Sequence, residues 1–81
     1  MSIQHHDLKT ETEYFQAVEK GIKTFELRKN DRDFKVGDII TLEEVVQGIK
    51  TGRKIWTKEV IYILDGGKFG LEDGYVIMQL K

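Results

Sequence analysis

The stretch Gly21-Ile22-Lys23-Thr24-Phe25-Glu26-Leu27-Arg28 decides how this chain is read. Before it, Tyr14, Phe15 and Val18 recur at helical spacing that Ile22 continues; within it, apolar and charged residues begin to alternate. A helix therefore hands over to a strand at this point. Gly21 sits where a left-handed C-terminal cap needs glycine. Period-two alternation predicts Phe25 and Leu27 on one strand face, which would be the core face if the charged face is solvated, and Thr24, Glu26 and Arg28 on the other. That second face carries a hydroxyl, a carboxylate and a guanidinium in one row, and Lys23 reaches over the same end from the turn. Two readings of the row stand side by side. A solvated strand face with a surface ion pair contributes only about 0–1 kcal/mol. A binding face instead uses the planar fork of Arg28 on phosphate, carboxylate or a base edge, oriented by Glu26 and assisted by the mobile charge of Lys23.

Outward from this stretch, residues 3–9 form a weak strand. Thr10-Glu11-Thr12-Glu13 fits a capping box, and an amphipathic helix spans about residues 11–20. A strand over residues 23–29 is followed by the polar loop Asn30-Asp31-Arg32-Asp33, which Phe34 and Val36 are expected to anchor. Lys35-Val36-Gly37-Asp38 reads as a tight turn into a strand over residues 39–46. The two glycines of residues 47–52 make a hairpin loop, and residues 55–64 return as a long strand. After the glycine-rich loop 65–70, a strand over residues 75–80 places Val76, Met78 and Leu80 on one face. One early helix and five to six mostly antiparallel strands give an α+β, mainly β fold. The expected arrangement is a small mixed β-barrel with the helix covering one opening, which also shields strand edges.

The chain has 81 residues, enough for a single domain over residues 1–81. A domain of this size buries only about 60–65% of its unfolded surface. With 40% hydrophobic and 33% charged residues it is globular rather than disordered. The absence of cysteine excludes disulfides, thiol catalysis and cysteine metal sites. A formal charge of −1 argues against a whole-surface grip on nucleic acid or membrane, so an anionic partner must be held by a local patch. No apolar run approaches the roughly 20 residues that span a bilayer. The N-terminal residues lack a signal peptide's pattern, which leads us to expect a cytoplasmic protein without a membrane partner.

Other chemistries are weaker. His5 and His6 are neighbours on a strand and point to opposite faces, so they are poorly placed to share a metal ion. No metal and no cofactor is expected. Asp31-Arg32-Asp33 can line the same cleft as the charged row or form an Asx-type turn. Among the aromatics, Trp56, Tyr62 and Tyr75 are expected as core or cross-strand partners, leaving Phe69 as the one exposed enough to close over a ligand. No serine or cysteine nucleophile with a base is visible, and Thr24 beside Lys23 is the one conceivable threonine nucleophile.

The opening stretch resembles the Gly-x-Lys-x-x-Glu-x-Arg signature of ASCH domains in the PUA-like superfamily. His6-Asp7-Leu8-Lys9, Tyr14-Phe15, residues 29–34, Val36-Gly37-Asp38, Thr51-Gly52-Arg53 and residues 74–78 extend the likeness to the small bacterial and phage DUF3850 group, over nearly the whole chain. The resemblance implies a PUA-like barrel with a helix across a cleft into which the motif points, and an RNA or nucleotide-like ligand there. Lys23, Glu26 and Arg28 are the motif positions. Lys9 and Arg32 join them by their place in the smaller group's pattern. Related amidohydrolases of acetylated cytidine use a lysine, a threonine and a glutamate from a later helix, which makes Lys23, Thr24 and Glu26 the candidates for hydrolysis. Glu26, however, stands where those enzymes carry the threonine, and no later helix is expected. The expectation is a non-catalytic binding module, with the amidohydrolase and a structural or protein-interaction domain as alternatives.

Overall fold

The structure, a computed structural model, describes residues 2–81. Its elements run in the order β1 (His5–Glu11), α1 (Thr12–Glu19), β2 (Phe25–Lys29), β3 (Ile39–Val46), β4 (Ile49–Asp65) and β5 (Tyr75–Leu80). They form one helix and a five-stranded mixed sheet in the order β1-β3-β4-β5-β2. β1 runs parallel to β3, and every other pairing is antiparallel.

The long strand β4 shapes the sheet. Its first part pairs with β3 and its last part with β5, and bulges interrupt the register in both pairings. Between Ile55 and Lys58 lies Thr57 at φ 57°, unusual for a β-branched residue and in keeping with a bulge that bends the strand. A two-residue turn at Gln47 and Gly48, both at positive φ, joins β3 to β4. This replaces the longer expected loop over 47–52, because residues 49–52 are already strand.

Bending of β4 brings the two edge strands, β1 and β2, to face each other. Their backbones are not paired, so the expected closure into a barrel is not met and the sheet is open. Arginine side chains cross the seam instead. Arg28 Nη2 donates to the Lys9 carbonyl at 2.8 Å and to Thr10 Oγ1 at 3.2 Å, and Arg32 Nη1 donates to the Asp7 carbonyl at 3.0 Å.

The core lies inside the curled sheet, where Leu8, Ile40, Leu42, Val60, Val76, Met78 and Leu80 meet Phe15 and Val18 of α1. Phe34 is buried and anchors its loop, whereas Val36 is exposed. The helix is shorter than expected, and Gly21 follows it at φ 76° in the left-handed conformation. The capping box does not form. Thr10 is a buried residue of β1, Glu11 is the N-cap, and no side chain caps the helix. Tyr14 and Ile22 are exposed, so only Phe15 and Val18 of the helical pattern serve the core. No helix among the described residues is long and apolar enough to cross a membrane.

Candidate functional site

Pairing with β5 decides which way β2 faces. Glu26 lies opposite Met78 and Arg28 opposite Val76, and both partners point into the core. The condition that Phe25 and Leu27 form the core face is therefore not met. Glu26 is 3% exposed and turned inward, while Phe25 and Leu27 are 43% and 51% exposed on the outer surface. A bare carboxylate could not be buried there at tolerable cost. Its two flanking cations make the burial possible. Lys23 Nζ donates to Glu26 Oε1 at 2.8 Å and Arg28 Nε to Glu26 Oε2 at 3.0 Å. Lys23 Nζ also holds the Phe25 carbonyl at 2.6 Å and lies 4.9 Å from the Phe25 ring centroid.

These side chains line a cleft of about 410 Å³ at the β1–β2 seam. That volume is in the range of small-molecule sites. Lys9, Thr10 and Glu11 form one wall, Tyr14 of α1 contributes from the helix, and Lys23, Phe25, Glu26, Leu27 and Arg28 complete it. The cluster of one carboxylate and two cations carries a net charge of +1. Glu26 uses one hydrogen bond on each oxygen. Arg28 spends Nε and Nη2 on protein partners, and among the described residues no hydrogen bond engages its Nη1. One of the three Lys23 N–H groups is also unspent. The site therefore offers donors to a ligand that brings acceptors.

Four of the five expected binding residues, Lys9, Lys23, Glu26 and Arg28, meet in this cleft. Arg32 and its neighbours Asp31 and Asp33 do not line it, and Arg32 Nη1 bonds the Asp7 carbonyl at the seam. Thr24 lies outside as well, with its Oγ1 accepting from Gln79 Nε2 at 3.2 Å. Thr10 and Tyr14 escaped the sequence reading because one was assigned to a cap and the other to the core.

A second depression, about 610 Å³, is lined by residues 2–4, Lys35, Val36 and Asp38. The Asp38 carboxylate there is saturated. It accepts from the Gln4 amide at 3.2 Å, the Lys35 amide at 3.0 Å and His6 Nε2 at 2.9 Å. Burial acts to raise the Asp38 carboxyl, but the His6 hydrogen bond, the two amides and the His6 charge outweigh it and hold it below its ordinary 3.8. Glu44, beside Glu43 in β3, is held within the protein on both oxygens. Hydrogen bonds from Thr51 and Thr12, each 2.7 Å, lower its carboxyl against burial, with help from the Arg53 charge. Among the described residues no group of three or more acidic or histidine side chains is placed to hold a metal.

An open mixed sheet with one helix and a cationic seam cleft defines a small mainly β domain with one candidate ligand site. Over residues 5–80 the chain matches the family described as a domain of unknown function, DUF3850, and it belongs to that family. It is also similar to an uncharacterized 12.9 kDa protein in the GpA 3′ region of Escherichia phage P2, with 44% identity over 55 residues. That match covers 68% of this chain and 50% of the relative, so the chain spans about half the length of the phage protein.

Proposed function

We propose that this chain is a binding module for RNA or a nucleotide-like ligand, with a PUA-like fold of the ASCH type. The carrying observation is the donor set left over at the seam, Arg28 Nη1 and one Lys23 N–H, around a carboxylate that fixes both cations in place. Phosphate oxygens and base carbonyls are the acceptors such a set takes. The Gly-x-Lys-x-x-Glu-x-Arg signature supports the same reading, and its lysine, glutamate and arginine are the residues that cluster. Lys9 adds a further cation at the wall.

Hydrolysis of a modified nucleoside has less support. It needs a nucleophile beside Lys23 and Glu26, and the Thr24 hydroxyl is bonded to Gln79 outside the cleft. Titration of short RNAs and nucleosides into the labelled protein, followed by NMR, tests the binding reading. Shifts are expected at residues 9–14 and 23–28 and are expected to vanish in Arg28→Ala. Shifts confined to other residues, or indifferent to Arg28→Ala, would reject it.

A further inference from the structure

The outer face of β4, β5 and β2 carries an unusual set of side chains. The register aligns Tyr62, Gln79 and Phe25 in one row and Leu64, Ile77 and Leu27 in the next. Tyr62 is 63% exposed despite lying on a strand. Simple alternation from buried Val60 would turn Tyr62 into the core. The bulge between them flips it to the outside, opposite Gln79. Neighbouring strands lie about 4.8 Å apart, so Phe25 and Tyr62 stand roughly 10 Å apart on one surface.

Phe25 belongs to both surfaces. It lines the seam cleft and begins the outer row. Lys23 lies over its ring, and Lys29 is on the outward side of the same strand. No acidic side chain occupies an outward position of β2 or β5, or of β4 from Tyr62 to Leu64. The face thus combines aromatic rings with positive charge and leads without a break into the cationic cleft.

We infer that this sheet face is the second half of a single-stranded nucleic-acid site, with a strand anchored in the cleft laying bases on Phe25 and Tyr62. This rests on the proposed reading of the cleft and extends it from a nucleotide to an oligomer. Base stacking on aromatics needs unpaired bases, which selects single strands over duplex. The charge favours a polyanion over a second copy of this chain, whose same face would bring like charges together. Arg28 anchors the backbone; Tyr62 holds a base beyond the reach of the cleft.

The test measures binding of six-nucleotide RNA and DNA strands of one mixed sequence to the wild type, Tyr62→Ala, Tyr62→Phe and Arg28→Ala. Tyr62→Ala is expected to weaken hexamer binding roughly 5- to 150-fold, the range for one lost stacking contact. Tyr62→Phe, which keeps the ring, is expected to bind as the wild type does. The RNA and DNA arms decide which sugar is preferred. Loss of binding in Arg28→Ala with none in Tyr62→Ala overturns the extension and leaves the cleft reading intact. No hexamer binding by the wild type overturns the extension, and the nucleoside titration then decides the cleft reading by itself. A wild-type dimer that Tyr62→Ala converts to monomer, read by sedimentation, assigns the face to self-association and overturns the inference. Unchanged amide spectra establish that the variants remain folded.

Discussion

Glu26 and Asp38 are both carboxylates at 3% exposure, and the sheet uses them in opposite ways. Asp38 accepts three hydrogen bonds, from the Gln4 and Lys35 amides and the His6 ring, all within the protein. It fastens β1 to the turn before β3. Glu26 is held by two side chains that keep N–H groups to spare, and it opens on a cleft. Burial of a charge alone does not mark a site. A saturated carboxylate is structural, while a carboxylate that presets underused cations is equipped to receive a ligand.

The comparison predicts separable effects. Asp38→Ala strands two amides and a buried imidazole, and is expected to cost about 3 kcal/mol of stability, a fall in Tm on the order of 15 °C. Below the new Tm, hexamer affinity should be unchanged. A loss of affinity as large as that of Arg28→Ala would erase the distinction. Arg28→Ala should differ by losing affinity as well. We expect affinity to fall roughly 10- to 150-fold through lost charge-assisted bonds, together with about 2–3 kcal/mol of stability, because Glu26 stays buried with one cation in place of two. The salt dependence of single-strand binding should also flatten by about 0.7 in log–log slope.

Acid sharpens the contrast further. The folded-state carboxyl of Asp38 lies below its unfolded value near 3.8. Its contribution is therefore present above that value and lost as pH falls through the lowered folded value. Denaturant melts between pH 5 and 2 should show this acid limb in the wild type and a shallower one in Asp38→Asn. The smallest effect is expected from Thr10→Val. It removes the hydroxyl that accepts from Arg28 Nη2 but leaves the Lys9 carbonyl in place. About 0.5–1 kcal/mol, a two- to fivefold loss of affinity by calorimetry, is expected. An effect equal to that of Arg28→Ala would mean that Thr10 itself contacts the ligand.

Much of the chain was legible one element at a time. The strand over Ile39–Val46, the strand over Tyr75–Leu80 with Val76, Met78 and Leu80 inward, and the left-handed Gly21 follow from local pattern, because alternation and glycine's freedom act over a few residues. The signature stretch likewise named Lys23, Glu26 and Arg28. What was not legible has local causes. Alternation says which residues share a face and is silent on which face turns inward, so the side of β2 that Glu26 and Arg28 turn to the core was left open. Tyr62 was expected in the core or against a cross-strand partner, as strand aromatics usually are, and a bulge turns it outward. Thr10 was misread because a strand continues through a plausible cap.

The sequence by itself determined the element types, the family and the three charged residues of the cluster, since each is written in spacing or in a contiguous motif. Only the tertiary structure decided that Glu26 is buried, that β1 and β2 meet across arginines without pairing, and that Phe25 joins a cleft to an exposed aromatic face. Those outcomes depend on strand register and on the bend of β4. Both are set by contacts between residues far apart in the chain, where local periodicity carries no information.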